Sequence, residues 1–321
     1  VNTVRTRRRI SPLGVVRLVL LLMGALSLLA STVVAQDDET LKGGHVVVLP
    51  TSGIVDQIMS EYLRAGIARA VADDAAAVVI ELDTPGGSLE ATREIVQTEL
   101  SAEVPIMVWV GPASARAASA GTFLTLAAHV ASMAPATNIG AATPVSSDGQ
   151  DIPEDLGEKI MNDTIATITS IAEERGRPVE WAVGTVTEAR SYTVDEALEA
   201  GAIDFKAETI EDLLVQADGM SVDVAGEEVV LQSAGAEIER LGMNPFQAFL
   251  HLLSDPNIAF ILFTLGFYGI FFELQNPNYV TGILGAFALI LAFIGFGSLP
   301  LNVAGLLLIG LAVILFVLEL T

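Results

Sequence analysis

Ser119 lies in a run of very small residues, Ala115-Arg116-Ala117-Ala118-Ser119-Ala120-Gly121-Thr122, that leads directly into an apolar segment of helical character. A serine so placed is open to a substrate and stands at a helix N-terminus, flanked by backbone N–H groups that no helical carbonyl uses. That is the setting of a hydrolytic nucleophile, whose tetrahedral intermediate needs amide donors for its oxyanion. Two groups of donors are at hand. One is Ala120, directly after the serine. The other is Gly86/Gly87, in Asp83-Thr84-Pro85-Gly86-Gly87-Ser88 at the end of a β-branched run. Glycine there lets backbone approach a substrate closely. Ser114 competes as nucleophile but sits deeper in the loop and lacks a following helix start. The bland alternative for Ser119 is a small residue selected for close packing, and the residue types alone do not separate the two.

The proton acceptor is harder to find. There are three histidines. His129 is ten positions past Ser119 on what the pattern predicts to be the same helix, and ten helical residues span roughly 15 Å, too far for a hydrogen bond. His45 begins a predicted strand, and His251 adjoins the apolar C-terminal region. There is no cysteine, hence no thiol nucleophile, no Cys-ligated metal and no disulfide framework. No cofactor is expected. A lysine can act as base if desolvation keeps its amine neutral. Of the three lysines, Lys42 falls in a polar linker and Lys206 in an acidic segment, which leaves Lys159, forty residues after Ser119. Asp155 and Asp163 flank it at four residues on either side, a pattern that equally suits an exposed lysine held protonated by carboxylates. Both readings stay open on the residues alone.

Positioning such a site requires a scaffold, and the central sequence supplies one. Val46–Leu49, Ala77–Leu82 (apolar but for Glu81) and Pro105–Val110 are runs rich in β-branched residues that read as buried strands. Helical patterns lie between them: residues 55–71, 89–101, the Ser119 segment to about His129, and later 155–175. Alternation of buried strands and helices predicts βαβ units and a mainly parallel sheet, with the site at the carboxyl ends of the strands. Residues 221–233 read as a short β-excursion and 246–253 as a compact apolar helix.

The ends of the chain are written for a different solvent. Of 321 residues, 52% are hydrophobic, and mean hydropathy is +0.58. Arg5, Arg7, Arg8 and Arg9 precede the apolar run Val15–Ala30, Arg17 falls at its start, and Val33-Val34-Ala35 gives a small-residue exit, so residues 1–36 read as a signal peptide or N-terminal anchor. Residues 37–43 read as a linker. Ile258–Phe272, Val280–Phe296 and Val303–Leu318 are near spanning length, with no basic residue among them, and read as transmembrane helices. The clustered arginines stay cytoplasmic and the acidic middle is exported, which predicts a multi-pass protein of the cell membrane with its globular domain extracytoplasmic. A net charge of −23 argues against nucleic acid as a partner.

Three stretches carry a family resemblance: Ile80-Glu81-Leu82-Asp83-Thr84-Pro85-Gly86-Gly87, then Ala115 to Thr122, then Met133-Ala134-Pro135-Ala136-Thr137-Asn138-Ile139-Gly140-Ala141. Together they resemble the NfeD-type, ClpP-class membrane-bound serine proteases. Ala189 to Asp204 is similar to the segment that closes this domain across the class, and Ser254-Asp255-Pro256-Asn257 to the junction with the membrane region. The resemblance covers roughly 45–321. It implies a ClpP/crotonase-like spiral of ββα units over residues 44–220, followed by residues 221–256 as an excursion with a membrane-proximal helix, and by transmembrane helices over 257–321. It implies Ser119 as nucleophile, Lys159 (in Lys159-Ile160-Met161-Asn162) as base, and Gly87 and Ala120 as oxyanion donors. It also implies a hydrophobic polypeptide substrate from a stomatin/prohibitin-like membrane partner, contact with the lipid bilayer, and a homo-oligomer. Relatives usually carry a further small β-barrel domain, which this sequence does not show. Two competitors share parts of this picture. One is a non-proteolytic scaffold for stomatin-like proteins; the other is an acyl-CoA enzyme of the same fold, disfavoured by export and by the lack of a basic patch.

Overall fold

The computed structural model describes residues 44–145 and 153–297. The expected signal segment, the linker with Lys42 and the third apolar run lie outside them. The described chain divides at Met243/Asn244 into two compact units.

The first unit begins with β1 (His45–Ser52), α1 (Gln57–Ala72), β2 (Ala77–Asp83) and α2 (Leu89–Leu100). Then come β3 (Ile106–Val110), β4 (Arg116–Ala118), α3 (Ala120–Ala127), β5 (Val130–Met133), β6 (Asn138–Gly140) and α4 (Glu154–Glu174). It closes with α5 (Val179–Thr187), β7 (Ser191–Thr193), α6 (Val194–Glu199), β8 (Phe205–Lys206), α7 (Ile210–Ala217), β9 (Ser221–Val224), β10 (Glu227–Val230) and β11 (Glu237–Arg240). The main sheet is parallel throughout, in the order β11-β1-β2-β3-β5-β8. Its strands are apolar at successive positions because both faces are covered. Val47, Leu49, Val78, Ile80 and Leu82 face the core shared with α1, α2, α3 and α4. Val46, Val48, Ala77 and Val79 face α7 and the β9–β10 hairpin, through Leu213, Leu214, Val222 and Val224.

A second, smaller layer gives the spiral its character. After β3 the chain crosses into β4, and after β5 into β6; β4, β6 and β7 form a three-stranded sheet. The same step is repeated earlier as single bridges, Val55 with Gly87 and Thr84 with Ala117. Each turn is therefore strand, short strand, helix, as the family resemblance implies. The helix α3 at its centre is buried at all eight positions, so a Leu124→Ala change there is of the class that costs about 2–5 kcal/mol.

Two expectations need correction. The serine helix ends at Ala127, because Ala128 turns extended (φ −65°, ψ 149°) and His129 leads into β5 instead. The segment after residue 220 is also no appendage. Its hairpin covers one sheet face, and β11 pairs with β1 over His45–Val48. Tyr62 Oη donates to Leu241 O (2.6 Å) and Pro50 O (3.1 Å), which fixes the exit of β11 to α1. Strand β11 is too short and too charged for its pairing to show in the sequence pattern.

The second unit comprises α8 (Pro245–Leu253), α9 (Pro256–Gln275) and α10 (Val280–Gly295) among the described residues. Capping starts the first two: Asn244 accepts from Phe246 N and Gln247 N, and Asp255 from Asn257 N. Helix α9 is long and apolar enough to cross a membrane; α10 is apolar but shorter. Glycines let the two helices meet backbone to backbone. A Cβ on Gly285 would lie 2.8 Å from Ile270 N and 2.9 Å from Gly266 O. Glu273 is tolerated at the end of this hairpin because it accepts from Asn278 N, Tyr279 N, Gly282 N and Thr281 Oγ1 at 2.6–3.0 Å.

Candidate active site

The glycine loop leaves β2 at the carboxyl edge of the main sheet. Thr84, fully buried, organises it: its N–H donates to Arg116 O (2.7 Å), its carbonyl accepts from Ala118 N (3.1 Å), and its Oγ1 accepts from Gly86 N (3.0 Å). Val55 N donates to Gly86 O (3.0 Å), and Ser88 N donates to Val55 O (2.8 Å). Peptide directions alternate along extended backbone, so with its neighbours bonded to Val55, the Gly87 N–H turns to the other side, where β4 runs. Neither glycine admits a side chain. A Cβ on Gly87 would fall 2.1 Å from Val55 O, and one on Gly86 (φ +114°) would fall 2.7 Å from Ser119 Cβ and 3.1 Å from Ser119 Oγ. Gly86 thus abuts the serine.

Ser119 occupies the corner between β4 and α3 with φ 52° and ψ −111°. A positive φ in a non-glycine residue is a strained conformation that surrounding contacts must enforce. They are plain here. Ser119 N donates to Gly140 O (2.8 Å), and Thr122 N to Ser119 O (2.9 Å). The buried Thr122 Oγ1 lies 3.1 Å from both Ala117 O and Gly140 O. Gly121 lets α3 close onto Thr84, since a Cβ there would meet Thr84 Cγ2 at 2.7 Å. Although Ser119 is the N-cap of α3, its hydroxyl makes no capping hydrogen bond, which leaves Oγ free for chemistry. Ala120, buried, contributes a first-turn amide. The structure therefore brings together Ser119, Ala120, Gly86 and Gly87. Thr84, Thr122 and Gly140, which hold them, lie within the sequence motifs, but nothing in their spacing announces a shared corner. Ser114 is exposed in the loop before β4 and outside this constellation.

No histidine joins it. His45 starts β1 and His129 precedes β5, so both lie at the amino edge of a parallel sheet, one strand length (about 20 Å) from the glycine loop. His129 serves the fold instead. Its Nδ1 accepts from Ile106 N (3.0 Å), and burial, with Arg175 beside it, lowers its pKa to about 4. His45 is buried, 3.7 Å from Glu239. His251 belongs to the other unit.

Among lysines, Lys206 is paired with Asp195 (2.6 Å). Lys159 lies on the second turn of α4, exposed, without an ion-pair partner among the described residues and without a hydrogen bond to Ser119. The dry setting expected of a lysine base is not present in the single chain. The carboxylate pairing that would disable it is not present either: Asp163, one candidate partner, is engaged by Arg93 of α2. Direction along the chain favours Lys159 all the same. Leu89 and Thr92 share a narrow slot with Thr164, while Leu100 and Ser101 share a wider groove with Ile171 and Glu174. Helices α2 and α4 therefore run side by side in the same sense, and the turn carrying Lys159 continues beyond Leu89, on the side of the glycine loop. Among the described residues no cluster of His, Cys, Asp and Glu could hold a metal ion.

Comparison with known proteins agrees with this geometry. Residues 45–225 match the family model for the NfeD1b N-terminal domain, and residues 257–321 that for the NfeD integral membrane domain. The chain is 36% identical over 309 residues to the membrane-bound protease PH1510 of Pyrococcus horikoshii, covering 94% of this chain and 68% of that protein. Two solved structures of the 1510-N membrane-bound stomatin-specific protease are similar in fold. One, with alanine in place of a serine, is 36% identical with a TM-score of 0.58, over 62% of this chain and 97% of the other. The second, with alanine in place of a lysine and a bound substrate peptide, is 33% identical with a TM-score of 0.61, over 66% and 99%. The family-model matches and the 36% identity, on a parallel fold that sets a strained serine beside two glycines, place this chain in the NfeD family of membrane-bound serine proteases.

Proposed function

We propose that the chain is a Ser–Lys endopeptidase in which Ser119 attacks, Lys159 carries the proton, and the Gly87 and Ala120 amides hold the oxyanion. The neutral Lys159 amine takes the Ser119 hydroxyl proton as Oγ adds to the scissile carbonyl. The resulting ammonium returns that proton to the leaving amine, and water then cleaves the acyl-enzyme by the same relay. Loss of one oxyanion donor in such a site costs on the order of 3 kcal/mol of transition-state binding. The observation that carries this reading is the Ser119 corner: a positive φ enforced by Thr122 and Gly140, with the hydroxyl left uncapped. The serine and the lysine substituted in the two related structures have nearly the spacing of Ser119 and Lys159, differing by one residue. The substrate is a hydrophobic polypeptide, by likeness to the stomatin-specific relatives a segment of a stomatin-like membrane protein. The exposed apolar Leu89 and Leu156, near the two arms of the site, suit such a chain.

The wider arrangement follows the sequence. Residues 1–36 act as a signal or anchor, residues 257–321 cross the lipid bilayer more than once, and the basic N-terminus keeps the protease unit extracytoplasmic. The exposure of Lys159 makes desolvation by the substrate or by a second subunit part of the mechanism, and we infer a homo-oligomer as the source of the second. The test is a fluorophosphonate probe, with the labelled residue mapped by mass spectrometry, alongside cleavage of an apolar peptide. Labelling at Ser119 and loss of cleavage in Ser119→Ala are expected; cleavage that persists in Ser119→Ala defeats the assignment. The same exposure of Lys159 favours a second reading, a scaffold for stomatin-like proteins that needs no proteolysis. That reading gains if Ser119→Ala preserves a partner-dependent phenotype in cells.

A further inference from the structure

We propose that Arg93 and Asp163 form a strap that fixes the lysine-bearing turn of α4 beside the glycine loop, which makes Arg93 a positioning residue for proton transfer. The inference rests on the Ser119–Lys159 reading. Helix α2 is a firm base for such a strap. It starts at its N-cap Ser88, the residue after Gly87, and buries Ala91, Ile95 and Val96. It is also tied to α1, since Glu94 Oε2 accepts from Gln57 Nε2 (2.6 Å) and Ser60 Oγ (2.8 Å). Helix α4 is anchored unevenly. Its later half buries Thr164, Ile168, Ile171 and Ala172, and Arg175 at its end donates through Nε to Ala127 O (2.7 Å). Among the described residues of its first half before Thr164, Gly157, Ile160 and Met161 are partly covered and the rest are exposed.

The two helices are also not in continuous contact. An open groove of about 560 Å³ runs between them, lined by Val96, Gln97 and Leu100 on one side and by Thr167, Ser170 and Ile171 on the other. Arg93 lines both this groove and the slot next to Leu89, and its guanidinium crosses to the Asp163 carboxylate. Among the described residues this is the polar tie from α4 to α2 nearest the amino end of α4, the end that lies toward the start of α2. Lys159 lies one turn further along, roughly 6 Å of helix. The strap acts in two ways. It limits the swing of an otherwise weakly held turn, and it occupies a carboxylate that would be an i,i+4 partner for the Lys159 ammonium. The other acidic residues of that turn and of the start of α2, Asp155, Glu158 and Glu90, are exposed like Asp163, but of these four only Asp163 is held by a guanidinium among the described residues.

The experiment uses the full chain in lipid nanodiscs and an apolar peptide substrate, with kcat, KM and the pH–rate profile measured separately. Arg93→Met and Asp163→Asn are expected each to lower kcat about three- to tenfold at neutral pH with KM changed less than about twofold. The double variant is expected to be no worse than either single one, as for two groups with one shared role. Arg93→Lys is expected to keep kcat within about twofold to threefold of the parent, because the charge still reaches Asp163. Unfolding midpoints are expected to stay level, since both side chains are about half exposed. Unchanged kcat in the single variants, or losses that simply multiply in the double variant, overturn the strap. If Ser119→Ala or Lys159→Met retains turnover, the dyad reading falls and the strap with it. If both abolish turnover and the double variant shows no coupling, the strap alone falls.

Discussion

The two arms of the candidate site are built in opposite ways. The nucleophile arm is part of the core. Ser119, Gly86 and Ala120 are bounded by Thr84, Thr122 and Gly140, each hydrogen-bonded and most of them buried. The base arm is a solvent-facing turn of α4, held to its neighbour by the Arg93–Asp163 pair. Preorganised dipoles for an oxyanion cost nothing at the moment of reaction if the fold enforces them beforehand. A lysine base has the reverse requirement: kept permanently dry and unpaired, it is a burden on folding, so its desolvation is best supplied when substrate or another subunit arrives. On this contrast the fold itself holds the Ser119 corner, and in the proposed dyad the base is completed only when substrate or another subunit covers Lys159.

The largest effect should come from breaking the exposed arm. Lys159→Met should lower peptide cleavage by about 10²- to 10⁴-fold while leaving the unfolding free energy within about 0.5 kcal/mol of the parent, as steady-state kinetics and denaturant melts will show. A large loss of stability would mean that Lys159 is a structural residue. Next is the buried arm. Gly86→Ala places a methyl against Ser119 and strains a φ of +114°, so both cleavage and fluorophosphonate labelling should fall at least about 10²-fold. Normal labelling there would show that the corner tolerates distortion.

Two stability tests sharpen the comparison at the far edge of the sheet. His129 has its folded pKa lowered to about 4, first by burial. Its neutral form is thus the folded one, and the stability it contributes is full above its ordinary pKa of about 6.5 and is lost as pH falls toward 4. Relative to His129→Gln, the parent should lose on the order of 2–3 kcal/mol between pH 7 and pH 4, while the cleavage profile above pH 6 stays the same shape. The smallest effect concerns Glu99. Its carboxyl is fully buried, with neither oxygen hydrogen-bonded among the described residues, and burial, opposed by Arg175, raises its pKa well above the ordinary carboxylate range. The folded state holds that proton, so stability drains away as pH rises from the carboxylate range toward the raised value. Glu99→Leu should be more stable than the parent by about 1–2 kcal/mol at pH 8 and by less at pH 4. Equal melts at both pH values would show that an ordered water or the Arg175 guanidinium satisfies the carboxyl.

Much of the scaffold is legible in the sequence because burial leaves its mark on residue type. The β-branched runs of β1, β2 and β3 and the apolar spacing of α4 mark those elements directly. The short strands β4, β6 and β7 escape notice, since three residues carry too little pattern, and β11 does too, since its four residues are mostly charged. The sequence pattern puts His129 on the wrong element because the stretch through Ala127 and Ala128 has no breaker. The helix ends there for a tertiary reason: β5 must start where it can pair with β3.

The sequence by itself determined which groups could meet. Two adjacent glycines after a buried strand, a serine among alanines, and a scarcity of lysine narrow the chemistry before any coordinate is known, because glycine tolerance and side-chain size are local properties. Only the tertiary structure decided how those groups are held. The positive φ at Ser119, the contact with Gly86 and the direction of α4 past Leu89 arise from residues distant in the chain that share one corner. The exposure of Lys159 is likewise a property of what the fold covers, and no local pattern of residues fixes that.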